Sequence, residues 1–365
     1  MLTPTYVNVK SFFYPLGNTP AANLLRDYCP SEEAVQILAI GCGDVRNILF
    51  TLWSEQNSAC AFDFTTCDLD PAVLARNVFL PTAVTHTPSS EEIERLWRTY
   101  YHFYVTSADL SWIREHCKQL LAVSGSITAW NNSTFGSSLR FSTEASLSQV
   151  HRIWTLYSET RIRQEDVAVR HDIKSMYDNY YSKKDGPKFA MHAVRSAGAH
   201  GLPTAQPLNE AFHDFWKTGV VAGNDRDVSI LGQDDGGRVN PLMAISPIGP
   251  NGFNVHYGAD SLAGFHLAEV FDVPQTKVTI KDSLASLVKF QFSDWCRSFA
   301  SRVATSSVNI MHHCGDAVNF VASPFAKDSH DVATEMHNAF IKNGGFPERE
   351  LRWKANSVAK PIFES

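Results

Sequence analysis

The sequence predicts an α/β fold with a βαβ start and a large, mostly helical insertion, and three observations carry that expectation. Residues 35–40 are a short apolar run that breaks into Gly41-Cys42-Gly43, which reads as a buried strand ending in a tight turn. Residues 61–67 are a second such run, ending at Asp68-Leu69-Asp70-Pro71. From residue 89 onward the apolar residues recur at the three-to-four spacing of amphipathic helices. The chain therefore divides into residues 1–88, the first part of the α/β core; 89–235, a helical insertion; and 236–365, a hairpin, a helix and the remaining core strand or strands.

Thr19-Pro20 has the form of an N-cap followed by proline at the first helical position, which predicts a helix over 21–27. The strand at 35–40 leads into a helix over 44–54, with Val45, Ile48, Leu49 and Leu52 on one face. The strand at 61–67 and a helix over 71–80 complete the βαβα start. Helices are expected over 91–106 and 108–121, with Ser107 capping the second. Leu96, Trp97, Tyr100, Tyr101 and Tyr104 make an aromatic stripe that helical packing explains more simply than ligand stacking. A strand-like stretch at 126–129 precedes the polar loop Trp130-Asn131-Asn132, and helices follow over 147–157 and 189–196. Residues 232–237 read as a surface loop, and 241–257, broken by Pro247, Pro250 and Gly252, as a β-hairpin. A helix over 283–303 and a strand entering Gly315-Asp316 close the pattern.

The two glycine and acid motifs point to a nucleotide-like ligand. A Gly-x-Gly turn at the carboxyl edge of a sheet exposes bare amides beside a helix N-terminus, and an acid delivered to the same edge by the second strand accepts hydrogen bonds from ribose hydroxyls. Asp68, with Leu69 beside it, stands in that place. A dinucleotide fingerprint wants a third glycine where Arg46 stands, and Asp44 would repel a pyrophosphate, so NAD or FAD ranks last. No Gly-Lys-Ser/Thr follows the turn, which excludes a P-loop. A zwitterion such as S-adenosylmethionine suits Asp44 better, because its amino group can meet a carboxylate while its ribose meets Asp68. Cys42 lies near a helix N-terminus, where a thiolate is stabilised.

Composition agrees with a globular protein. The chain has 365 residues, 44% of them hydrophobic, with a net charge of −6 and no run of basic residues, which argues against nucleic-acid binding. No apolar run reaches bilayer length, which argues against membrane insertion. Seven cysteines without Cys-x-x-Cys spacing predict reduced thiols in an intracellular, cytoplasmic setting. His312, His313, Cys314 and Asp316 cluster in sequence, yet neighbours on a strand point to opposite faces, so no metal site is expected.

Residues 37–44 and 68–71 resemble the first two motifs of class I S-adenosylmethionine-dependent methyltransferases. More widely, segments 13–20, 41–48, 67–77, 215–219, 256–260 with 264–268, and Trp295-Cys296 resemble a fungal family of domains of unknown function. Members of that family often accompany a MYND zinc finger, and a related domain begins the dynein axonemal assembly factors; MYND spacing itself is absent from this chain. The resemblance implies a Rossmann-like, class I methyltransferase-like sheet and an S-adenosylmethionine-binding protein, methylating a small molecule or a protein. The alternative it implies is a non-catalytic scaffold or assembly factor whose aromatic helical insertion meets a protein partner. The cofactor would lie against Gly41, Cys42, Gly43, Asp44, Asp68 and Leu69, with Asp316 and Ala317 at the adenine amino group; Asp109 competes with Asp316 for that role but is also explained by a helix N-terminus. Asn131 and Asn132, in a loop loosely similar to those that hold amine nucleophiles, and His256 and His266 are the substrate-cleft candidates. The chain departs from the methyltransferase pattern at Ala39, where an acid is usual, and at Val45, where a third glycine is usual.

Overall fold

The computed structural model describes residues 13–17, 19–26, 34–84, 88–159, 164–180, 206–221, 237–246, 253–256, 258–266, 280–321 and 360–363. Its centre is a parallel sheet in which β1 (Ala34–Ile40), β2 (Ala61–Asp68), β4 (Leu139–Phe141), β6 (Val308–Cys314) and β7 (Lys360–Phe363) stand in the order β4-β6-β2-β1-β7. Ile40 pairs with Cys67 and Asp68 with Cys314, so the segments that follow β1, β2 and β6 emerge at one edge. Burial alternates along these strands: Phe62, Phe64, Ile310 and His312 are buried, while Asp63, Thr65, Asn309 and Met311 between them are half-buried.

The helices begin where their local chemistry supplies caps. Asp70 accepts from the Ala72 amide and places Pro71 at the first position of α2 (Pro71–Ala83). Ser89 and Glu92 form a reciprocal capping box on α3 (Ser90–Tyr101). Thr106, not Ser107, caps α4 (Ser107–Val123), because α3 ends at Tyr101 and the chain passes through the short strand β3 (Tyr104–Val105) first. β3 pairs antiparallel with β5 (Arg238–Val239) in a small separate sheet.

Several expectations are corrected. The chain after Pro20 makes a turn over 24–26, not a helix: the amides of Ala21, Ala22 and Leu24 donate to Gly264 O, Asn47 Oδ1 and Thr51 Oγ1 from other parts of the chain, and the Thr19 hydroxyl accepts from the Arg46 guanidinium. Ser126 is an N-cap, and the expected strand there is α5 (Ile127–Asn131), its side chain accepting from Ala129 N. Of the expected hairpin over 241–257, the described residues show Asn240 capping the single turn α9 (Pro241–Ala244) and Val255 bridging to Phe13; residues 247–252 and 257 lie outside the described residues. The segment 89–235 also contributes to the sheet, through β4, whose three residues are too few to show a period. The expected helix at 189–196 lies outside the described residues, as does most of the 232–237 loop.

α1 (Arg46–Ser54) packs on α10 (Ile280–Ala304), while α2 and α4 pack on α6 (Glu144–Glu159). The remaining described helices are α7 (Gln164–Tyr180), α8 (Gln206–Thr218) and α11 (Ala317–Val321). The aromatic stripe faces inward: Leu96, Trp97, Tyr100, Tyr101 and Tyr104 are all buried, so it does not offer a partner surface. No described helix is long and apolar enough to cross a membrane. The six described cysteines are all free thiols.

Candidate functional site at the carboxyl edge

The glycine turn is held open by backbone geometry that side chains disfavour. Gly41 and Gly43 have φ of 60° and 56°, in the left-handed region where glycine carries no Cβ penalty. Nothing lies within 4 Å of where a Gly41 side chain would begin. The ladder between β1 and β2 continues one step past the strands, Cys42 N donating to Cys67 O at 3.1 Å. Gly315 N donates to Asp68 O at 2.9 Å, which brings the turn after β6 beside the turn after β2.

Asp68 sits between these turns. Its Oδ2 accepts from Gly43 N at 3.2 Å and its Oδ1 from Asp70 N at 3.0 Å, so the carboxylate is fixed in orientation. Each oxygen can accept a further hydrogen bond. Burial pushes its pKa up to about 6, against the lowering effect of the Asp70 and Gly43 amides. Leu69, next to it, is 64% exposed, so the edge is open to solvent on that side. The Cys67 thiol is pushed up to about 12 by burial and by Asp68 and Asp316, and remains protonated. Cys42 is buried four positions ahead of α1, with its Sγ 4.0 Å from Asp68 Oδ2.

The structure brings Gly41, Cys42, Gly43, Asp68, Leu69, Asp316 and Ala317 to one edge. Asp316 is exposed, and its Oδ1 accepts from Asn319 N at the start of α11. Its competitor, Asp109, is buried and makes a two-pronged pair with Arg98, Nε to Oδ2 at 2.8 Å and Nη2 to Oδ1 at 2.9 Å.

Other candidates are engaged elsewhere. Asp44 accepts from Gly17 N and from the Arg46 guanidinium at 2.7 Å each, and from Arg46 N at 3.2 Å. The structure thus gives this carboxylate an internal ion pair and a backbone amide as partners. An added Cβ on Gly17 would fall on the Arg46 guanidinium, which is why the 13–17 segment can lie so close to the turn. Asn131, the last residue of α5, and Asn132, its C-cap, are exposed ahead of the amino end of β4 and therefore at the edge opposite Asp68. His266 bonds Ala21 O, stacks on Phe50 with centroids 4.2 Å apart, and exchanges hydrogen bonds with Gln291, all in the seam between α1 and α10. His256 stacks on Tyr14 at 4.6 Å and accepts from Gly258 N; burial lowers its pKa to about 4, so it is neutral.

Asn77 was not anticipated. It is buried on α2, where its Nδ2 donates to Gly43 O at 2.6 Å and lies 3.6 Å from Cys42 Sγ, clamping the glycine turn. The available signal was the polar pair Arg76-Asn77 interrupting the apolar residues 72–75 and 78–80.

His312 and His313 face opposite ways, as the strand period requires. His312 is fully buried with its Nδ1 2.8 Å from Thr66 Oγ1, while His313 meets Ser142 Oγ at 2.7 Å and stacks on Phe320. Among the described residues no three His, Cys, Asp or Glu side chains group as a metal centre would need. Burial lowers the pKa of His312 to about 3 and of His116 to about 4, whereas an unfolded histidine takes its proton near 6.5. The unfolded chain thus binds more protons between these values, and their stabilising contribution, present above about 6.5, is lost as pH falls towards 3. Asp68, raised in the folded state, acts with the opposite sign: its contribution grows as pH falls through about 6. The urea midpoint is expected to fall from pH 6.5 to 4.5, to fall less steeply in His312→Leu/Thr66→Val, and to fall more steeply in Asp68→Asn. Equal slopes in all three proteins would show that neither group titrates with folding.

Residues 15–105 match the family model of a domain of unknown function (DUF4470). That stretch contains the glycine turn, Asp68, Asn77 and the buried aromatic stripe. No curated protein and no solved structure matches the chain.

Proposed function

We propose that the carboxyl edge of the sheet binds the nucleoside part of S-adenosylmethionine, with Asp68 accepting from the ribose hydroxyls. The observation that carries this reading is the Asp68 carboxylate, fixed by the Gly43 amide at the mouth of a glycine turn that leaves open space beyond Gly41. Asp316 follows Gly315, whose amide donates to Asp68 O, and a carboxylate on that turn suits the exocyclic amine of adenine. Methyl transfer from a sulfonium needs placement and exclusion of water more than a strong acid or base, so a methyltransferase-like sheet with neutral histidines nearby is compatible with it.

Calorimetric titration with S-adenosylmethionine and S-adenosylhomocysteine tests the reading. Micromolar binding is expected, lost in Asp68→Ala. Because Asp68 accepts hydrogen bonds best when ionised, affinity is expected to weaken as pH falls below about 6, approaching tenfold per pH unit. Absence of binding by folded protein, or binding that survives Asp68→Ala, sinks the proposal.

A second reading has one observation in its favour. The acid best placed to meet the ligand's amino group, Asp44, is closed off in the pair with Arg46 that pins residues 13–17 to the turn. A non-catalytic scaffold or assembly factor that keeps a methyltransferase-like core would use Asp44 in this structural way. Binding of neither ligand by folded wild type would leave this reading in front.

A further inference from the structure

A second concavity lies at the opposite end of the sheet. It encloses about 550 Å³ between the end of α2, the first half of α3, the middle of α4, the loop before β4 and Val303 at the end of α10. Leu139 begins β4 and Val303 precedes β6, so the concavity opens at the amino edge. β2 has eight residues, which puts it about 25 Å from the Asp68 edge at the rise of an extended strand. Its volume is in the range that accommodates small organic ligands, roughly 300–1,000 Å³.

The lining is aromatic on its walls and cationic on one side. Trp112 and His116 lie nearly parallel, 6° apart with centroids 5.7 Å apart, and Phe79 meets the His116 edge at 4.8 Å. Phe135 closes another side. His116 is held by Thr82 Oγ1, 2.9 Å from its Nε2, and burial keeps it uncharged, so it adds a flat polar surface but no charge. The Arg95 guanidinium carbon stands 5.9 Å from the Trp112 ring centroid. Its acidic contact is Glu91 at 3.6 Å, a side chain 87% exposed, and such a surface pair is weak and easily exchanged. Glu92, the acid on the wall, is bound to Ser89 N in the capping box.

We propose that this amino-edge pocket binds a planar aromatic carboxylate, its ring against Trp112 and Phe135 and its carboxylate on the Arg95 fork. A carboxylate displaces Glu91 with two parallel charge-assisted hydrogen bonds, the geometry in which arginine binds anions best. The aromatic walls supply the apolar contact and stacking that a ring needs. This site is independent of the nucleoside reading of the Asp68 edge.

The test uses the full chain with 2-naphthoate as the charged probe and 2-naphthol as the same ring without the carboxylate. Titration by calorimetry and tryptophan fluorescence is expected to show saturable one-to-one binding of 2-naphthoate. Arg95→Gln, a change on a partly exposed side chain, is expected to weaken it about tenfold, as loss of one charge-assisted anion contact does. Asp68→Ala is expected to leave it unchanged. No saturable binding by folded wild type overturns the proposal; so do equal affinity for 2-naphthol, equal affinity in Arg95→Gln, and loss of binding in Asp68→Ala.

Discussion

Replacing Asp44 by alanine is expected to lower the unfolding free energy by about 3–5 kcal/mol, because it strands a buried cation. Asp44 and Arg46 have side chains 7% and 4% exposed, with Oδ1 and Nη1 2.7 Å apart. The alanine variant leaves the Arg46 guanidinium without its carboxylate and the Gly17 amide without its acceptor. Desolvated charge and an unsatisfied amide then add, which is why the effect exceeds that of an exposed pair, about 0–1 kcal/mol. The double replacement Asp44→Leu/Arg46→Leu removes the stranded charge and is expected to recover a large part of the loss, as buried pairs exchanged for apolar residues do. Urea denaturation of both variants checks this. A single variant costing under about 1 kcal/mol would mean that water reaches the pair.

Trp97→Ala is expected to cost about 3–5 kcal/mol, the usual range for emptying a large aromatic site. Trp97 is fully buried and touches Tyr101 at 4.5 Å, Phe292 at 5.6 Å and Phe265 at 5.9 Å between ring centroids. It therefore joins α3, α10 and the segment 258–266, three parts of the chain distant in sequence. Among the described residues its buried indole nitrogen meets no hydrogen-bond acceptor, so Trp97→Phe removes little beyond volume. That variant is expected to retain most of the stability, well under half the alanine loss. Thermal or urea denaturation of the pair separates packing from polarity. If instead Trp97→Ala is nearly neutral, the stripe is not core and its role as a partner surface returns.

What local chemistry determines was legible in the chain. The apolar runs of β1 and β2, Gly41 and Gly43 with their positive φ, and Asp70 with Pro71 at the start of α2 each act over a few residues, so their pattern survives in the sequence. The position of Asp68 at the carboxyl edge is legible for the same reason, since it ends the second strand. The inward aromatic stripe of α3 followed from its helical spacing.

The uses of the side chains at that edge were decided by distance, which a linear pattern does not carry. Asp44 met its partners at Arg46 and, across a wide separation in sequence, at Gly17, so an acid read as ligand-facing became part of the core. The amides after Pro20, expected to start a helix, went to Gly264, Asn47 and Thr51 instead. Asn131 and Asn132 went to the opposite edge because Leu139 to Phe141, three residues with almost no period of their own, found a hydrogen-bonding partner in β6. Asn77 took hold of the glycine turn, and helices α2, α3 and α4 with the loop before β4 enclosed the pocket beneath Arg95, only once packing had set their faces. Strands β1 and β2, the glycine turn and Asp68 rest on backbone conformation and short-range hydrogen bonds and so can be read from the chain; which charges are buried in pairs and which stay open to a ligand depends on what closes over them, and that appears only in the packed fold.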